Sequence, residues 1–566
     1  MKKIYLLLIL CFTTYFANAQ EPFITTWQVQ GDGLNIQIPI VEDDDTPDSY
    51  TIDFGDGTVL TNQSGIASHT YSDEGVYTVT ISGEFSRVMI HQVTDSSNSD
   101  KILTIEQWGD TQWTSMKDTF YKCSNLTISA LDNPDLTQVS DMRNMFYDCY
   151  LFNEPLNDWN VSNVTNVRGM FHGCYSFNHP LNDWDVSSII DMGYMFSGCS
   201  SLNQIFNNWD VSNITNMDAA FSGCTSFNQS LNDWDVSGVT SMEQMFQDCD
   251  SFNQPLNNWN VSNVTSMKQM FSGCDLFNQP LNSWNVSNVI SMSSMFWSAT
   301  VFNQPLNNWD VSSVIDMGQM FNICDSFNQS LNSWNVSNVT NMGIMFGYAS
   351  SFNQPLNDWD VSSVINMHFM FGNATSFNQP LNDWDVSSIM GGGMVAMFRG
   401  SASFNQDISN WTFYSNISLS NFLDNCGLSV ENYDSLLNRF VELGLENKNL
   451  GANGLKYCDY ETRDNLINNL GWTIIGDNLA EDCTASTESF EENQLSVYPN
   501  PVKDIVYIQS DNLTVEEVTI YNLQGSQLIT TKQNLETINT TTLSTGIYLL
   551  HVKTNKGLAK YKLVKN

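Results

Sequence analysis

Tryptophan recurs every 25 residues, at Trp159, Trp184, Trp209, Trp234, Trp259, Trp284, Trp309, Trp334, Trp359 and Trp384. A fixed period in this range means repeated units that stack, each too small to bury its own apolar face. A propeller blade needs about 40 residues, so a period of 25 predicts one coil of a solenoid per repeat. Trp411 follows after 27 residues, because two extra residues enter around Gly391–Gly393.

The shared motif reads F-N-Q-P-L-N-x-W-[DN]-V-S-x-[VI]-x-x-M-x-x-M-F-x-x-C. Apolar and polar residues alternate through W-[DN]-V-S, which predicts a short strand with Trp and Val inward. The three- and four-residue spacing of M-x-x-M-F predicts a helical turn facing the core. Proline in F-N-Q-P-L ends that turn and fixes a corner. Stacked coils are then expected to join their W-x-V strands into a parallel sheet at a spacing of about 4.8 Å. Asparagine after the motif phenylalanine, from Asn153 through Asn378 to Asn405, suits a ladder of amides satisfying the backbone of the next coil. The cysteine column (Cys149, Cys174, Cys199, Cys224, Cys249, Cys274, Cys324) exchanges with Ala299, Ala349 and Ala374. That exchange asks for a small buried side chain, not for a disulfide partner.

Residues 1–20, MKKIYLLLILCFTTYFANAQ, read as a secretory signal, with Lys2 and Lys3, an apolar run and Ala17-Asn18-Ala19 as cleavage site. That run falls short of the ~20 residues a membrane span needs, and no later segment is apolar enough to cross. Outside the array lie Cys426, Cys458 and Cys483, and export permits a Cys458–Cys483 disulfide. The chain carries a net charge of −40, and between Tyr147 and Phe398 its only bases are Arg168 and Lys268. Such a surface repels phosphate backbones and excludes nucleic acid as a partner.

The W-x-V-S-x-V-x-x-M-x-x-M-F-x-x-C pattern resembles the BspA-like leucine-rich repeat family in its bacterial surface form. The resemblance runs from about Lys101 to Trp411 and departs at the Gly391–Gly393 insertion. It implies a surface-exposed binding or adhesion protein without catalysis. Residues 21–100 resemble the PKD family through Asp53-Phe54-Gly55-Asp56-Gly57, His69-x-Tyr71 and Gly75-x-Tyr77-x-Val79, departing in the Asp-rich Asp43–Asp45. They read as a small antiparallel sandwich, a spacer or protein-binding unit in that family, with Asp53 and Asp56 as turn caps rather than cation ligands. The last 73 residues hold seven lysines against five acids and alternate as strands. They resemble the C-terminal sorting domain of the type IX secretion system through Tyr498-Pro499-Asn500-Pro501, Tyr521-Asn522-x-x-Gly525, Gly546-Ile547-Tyr548 and Lys560–Lys565. That resemblance implies a Gram-negative cell, passage across its outer membrane, and either a secreted or a surface-anchored product.

The expected fold is mainly β with short helical turns, a right-handed leucine-rich-repeat-like solenoid flanked by two small β-sandwich domains. Its parts are a signal peptide (1–20), a PKD-like sandwich (21–100), the solenoid with a degenerate N-terminal coil (101–411), a helical cap (412–485), a linker (486–493) and the sorting domain (494–566). Tyr433, Leu436, Leu437, Phe440 and Leu443 carry helical spacing within that cap.

An enzyme needs a constellation that breaks the repeat, and the six histidines are scattered with no G-x-S-x-G, HExxH or P-loop motif. The expected function is protein or glycan recognition on another cell or matrix. The alternatives are a surface spacer or coat component, and an accessory in polysaccharide handling. The expected binding face is the outward column after tryptophan: Asn160, Asp185, Asp210, Asp235, Asn260, Asn285, Asp310, Asn335, Asp360 and Asp385. Its densest acidic part, Asp185, Asp210 and Asp235 with Asp183 and Asp233, is the candidate Ca²⁺ site, because oxygen-only ligands suit that ion. No other cofactor is expected.

Overall fold

A computed structural model describes residues 20–31, 33–41, 49–91, 97–481, 483, 495–510, 513–522, 526–554 and 557–566. The signal segment before Gln20, Asp43–Asp45, the 486–493 linker and Gly525 lie outside the described residues. The chain forms two compact units, 1–478 and 479–566.

The first unit opens with strands β1 (Phe23–Val29), β2 (Asn35–Pro39), β3 (Ser49–Asp53), β4 (Val59–Gln63), β5 (Ile66–Thr70) and β6 (Gly75–Glu84). A short helix, α1 (Asn98–Lys101), leads into β7 (Ile102–Gln107), and β8 (Thr127–Ile128) follows. One sheet runs β4-β3-β6-β1-β7-β8, and β2 pairs with β5 separately. The PKD-like motif explains its own turn. Asp53 Oδ1 accepts from Gly55 N–H, Asp56 Oδ1 accepts from Thr58 N–H, and Tyr71 Oη donates to the Phe54 carbonyl. Gly55 has φ +78°, and a Cβ there would meet the Thr78 carbonyl oxygen at 2.4 Å, so only glycine fits.

Strand β7 changes the direction of pairing. It runs antiparallel to β1 and parallel to β8. From there every pairing along the array is parallel, first Gln112 with Asp135 and then Asp141, Asn166, Asp191, Asn216 and onward to Asn366.

The repeats stack in register, but not through the expected strands. W-[DN]-V-S curls between two tight turns: Trp184 N–H donates to the Leu181 carbonyl, and Ile189 N–H to that of Val186. The ladder lies instead along the methionine segment. Met192, Tyr194, Phe196 and Gly198 donate N–H groups to the carbonyls of Asn216, Asp218, Ala220 and Ser222 in the next coil, at 2.6–3.1 Å. Nor is that segment a helical turn. Tyr194 and Gly198 take left-handed φ values of +59° and +80°, and each coil repeats this at the same two positions. Left-handed residues four apart break the helix and leave every second N–H group to reach the neighbouring coil.

The core is a set of columns. Every motif Trp, Val, Met and Phe is buried, with exposure of 5% or less. Phenylalanines stack on their counterparts, as Phe171 on Phe196 at 5.7 Å, and tryptophans do the same, as Trp334 on Trp359 at 6.5 Å. Such pairs add about 0.5–1.5 kcal/mol each beyond area burial. The Gly391–Gly393 insertion is absorbed locally. Trp384 still stacks on Trp411 at 6.5 Å, and Phe371 on Phe398 at 5.7 Å.

Asparagine forms the expected amide ladder, half-buried or exposed along its length. Asn153 Oδ1 accepts from Asn178 N–H, and the pattern repeats to Asn378 and Asn405. The cysteines are buried free thiols whose Sγ–H groups reach the phenylalanine carbonyl of the previous coil, as Cys174 to Phe146 at 3.0 Å. Burial pushes these thiols well up from their ordinary range. Cys426 is also free, whereas Cys458 and Cys483 are disulfide-bonded.

The array ends on α2 (Val430–Glu442), β9 (Asn449–Gly451), β10 (Lys456–Tyr457), α3 (Tyr460–Asn468), β11 (Thr473–Ile475) and β12 (Asn478–Leu479). Ser429 caps α2, and its N–H donates to Asn405 Oδ1 at 2.7 Å, closing the amide ladder. Tyr433, Leu436, Leu437 and Phe440 of α2 are buried over the last coil, while Leu443 sits at the helix end, half-buried.

The second unit holds β13 (Leu495–Tyr498), β14 (Ile505–Ser510), β15 (Val515–Tyr521), β16 (Gln527–Thr531), β17 (Thr537–Asn539), β18 (Gly546–Thr554) and β19 (Gly557–Lys565). They form sheets β13-β14-β17 and β16-β15-β18-β19 around a core that includes Val506, Val518, Ile520, Leu550 and Leu563. Asn500 of the Tyr-Pro-Asn-Pro motif clamps the last strand. Its Nδ2 donates to the Lys562 carbonyl, and its Oδ1 accepts from Val564 N–H. Among the described residues no helix is long and apolar enough to cross a membrane.

Candidate binding face

The column after tryptophan is exposed in all ten coils, from Asn160 to Asp385. Each of these residues caps the turn that follows it. Asp185 Oδ1 accepts from Ser187 N–H at 3.1 Å and from its hydroxyl at 2.6 Å, and Asn160 does the same with Ser162. Asp210 and Asp235 accept from Ser212 and Ser237 N–H groups. The serine hydroxyl and N–H hold Asp185 and Asp235 below the usual carboxylate range. Asp183 and Asp233 are exposed on the other side of the buried tryptophan, and Asp183 accepts from Asn157 Nδ2 of the previous coil. Among the described residues, no group of three or more His, Cys, Asp or Glu side chains is arranged to hold a metal ion.

Sequence reasoning followed the columns that all coils share and passed over a second surface. Seen from each tryptophan, the residues nine, thirteen and sixteen places on form further columns, the first two buried in several coils and the third at the surface. In most coils they are small or acidic. At the N-terminal end they are not. Lys117, Arg143 and Arg168 share the first of these columns, and Tyr121, Tyr147 and His172 the second. Tyr121 stacks on Tyr147 at 4.8 Å, and Tyr147 on His172 at 4.2 Å. In the third column Tyr150 stacks on Tyr175 at 5.2 Å, with exposures of 40% and 51%. Later coils put Ser200, Thr225 and Asp250 at that place. This break in the repeat was the available signal. Arg143 pairs with Asp141 at 2.7 Å, and Arg168 lies 3.8 Å from Asp191 and over the Tyr194 ring at 4.7 Å. Burial raises Tyr147, and the Asp148 charge raises Tyr150, above the ordinary tyrosine range.

Comparison with known proteins matches three parts of the chain. The model described as PKD domain matches residues 25–86, and the one described as secretion system C-terminal sorting domain matches 496–566. The tail is that of the type IX system, so the protein is directed to the outer surface or beyond it. A 90-residue stretch is 33% identical to the ulvan lyase NLR42 of Nonlabens ulvanivorans, covering 15% of this chain and 17% of that protein. The model described as Mycoplasma protein of unknown function, DUF285, matches at 114–233, 203–309 and 298–411. These matches jointly span more than half of the chain, which therefore belongs to that BspA-like repeat family.

Proposed function

We propose that this protein is a surface-displayed or released recognition protein whose stacked coils bind a protein or glycan on another cell or on matrix. The observation that carries this reading is the ten-coil exposed column from Asn160 to Asp385, set on a core whose columns repeat from coil to coil. Repeat arrays of this kind recognise partners through outward residues, because the inward ones are committed to stacking. In this reading the coils wind as a right-handed leucine-rich-repeat-like solenoid over 101–411. The sandwich before it and the helices of 412–485 serve as its ends, and 494–566 is the export address. No catalytic role is assigned to any residue.

A second reading, an accessory in polysaccharide handling, draws support from the stretch similar to the ulvan lyase. One experiment separates the readings. The purified secreted chain is immobilised and presented with a glycan array and with extracellular proteins. Saturable capture of either class supports recognition. Capture of neither leaves a spacer or coat role in its place.

A further inference from the structure

The N-terminal aromatic patch is set apart by rings stacked through consecutive coils, whereas a later pair such as Tyr348 and Phe369, at 5.5 Å, is tilted. Three consecutive coils present Tyr121, Tyr147 and His172 in one stacked row, with Tyr150 and Tyr175 as a second, more exposed row beside it. The cations here stand among acids: Arg143 pairs with Asp141 and Arg168 lies by Asp191, while Lys117 and Lys122 stand near Asp118 and Asp148. This end is therefore close to neutral within a chain of net charge −40.

We propose that this patch is a binding subsite for an uncharged polysaccharide, and the proposal rests on the recognition reading above. Three features select that occupant. The contacts repeat at the coil spacing, which suits a partner built of identical units rather than the irregular surface of a protein. Exposed tyrosines offer apolar ring surface with a polar hydroxyl, the combination a sugar's C–H face and hydroxyls require. The arginine–carboxylate pairs set donors beside acceptors without net charge, which matches vicinal hydroxyls. Charge selects further: an anionic polymer is repelled by the acidic remainder of the array.

The test is affinity electrophoresis of the full secreted chain through gels containing soluble neutral glucan, soluble galactomannan or, as the acidic probe, alginate. The unmutated chain is expected to be retarded in a neutral gel to the same extent at low and high salt. The variant carries Tyr147→Ser, Tyr150→Ser and Tyr175→Ser. Each substitution writes a residue that later coils carry at the same place, such as Ser197 and Ser200, so the fold is kept. Its retardation constant should weaken about tenfold, the loss of one strong aromatic anchor, while circular dichroism still reports the folded chain and the lost ring stacking lowers the melting temperature. Equal retardation of variant and parent overturns the proposal. So does retardation by alginate alone, or by no polysaccharide. If the chain captures a protein while ignoring every polysaccharide, this inference falls and the recognition reading stands. If it captures nothing, both fall.

Discussion

The indole N–H of Trp284 donates to the carbonyl oxygen of Leu256, 2.9 Å away and one coil back. The same bond recurs from Trp184 to Trp411 at 2.8–3.2 Å. Tryptophan is thus not merely the largest apolar group available, since it also ties each coil to its predecessor. Replacing it by phenylalanine keeps most of the ring and removes the donor. Trp284→Phe is expected to cost about 2 kcal/mol, from the lost bond and a partly unfilled space. Urea unfolding of the parent and variant measures it, and a difference under a few tenths would contradict the role.

Ile323 sits at φ +62°, a conformation in which a β-branched residue is strained. The equivalent place in another coil holds Asn373 at φ +56°. Ile323→Asn is expected to stabilise the array by about 1 kcal/mol, because asparagine tolerates the left-handed region. A rise in melting temperature by calorimetry is the sign to look for.

Asp248 gives a pH-dependent case. Burial first, then the charges of Asp250 and Asp275, raises its pKa above the ordinary aspartate value. A carboxyl whose folded pKa is raised lowers stability at neutral pH. The penalty is relieved as pH falls through the folded pKa and is gone below the unfolded one. Asp248→Asn should therefore melt higher than the parent at pH 7, and the two should converge in acid. A constant offset across pH would rule out ionisation as the cause.

The column residues Asp185, Asp210 and Asp235 cap turns, and Asn160 and Asn260 do the same work in the same column. Changing all three to asparagine should leave the circular dichroism unaltered and lower the melting temperature slightly at neutral pH, because the turn bonds favour the charged carboxyls of Asp185 and Asp235. Millimolar Ca²⁺ and Mg²⁺ should stabilise the parent equally, as screening does. A rise specific to Ca²⁺ that disappears in the variant would instead identify a calcium site in this column.

The second unit carries the sorting domain. Deleting 494–566 should leave the chain in the periplasm, read as loss of surface labelling on intact cells with the protein still present in lysates.

The inward columns were legible because a 25-residue register of Trp, Met and Phe admits few arrangements that bury all three. The local conformations were not. W-[DN]-V-S alternates like a strand, yet the Asx turn from Asp185 to Ser187 bends it. M-x-x-M-F has helical spacing, yet Ile323, Ile344 and Phe369 are forced into left-handed geometry that their own propensities oppose. Bonds between coils outweigh local preference here, and no single coil encodes them. The exposed column was readable from the repeat itself. The aromatic patch was missed because it consists of departures from the repeat, such as Tyr150 and Tyr175 in place of serine, and a consensus averages departures away.

Strand β7 and the Ser429–Asn405 bond are the two terminations of the array, and each engages only the coil beside it. The ladders of a middle coil run mainly to its immediate neighbours. Whole 25-residue units can therefore be gained or lost between the two terminations without rewriting either. The length to which the protein reaches is free to drift across generations while its ends stay closed.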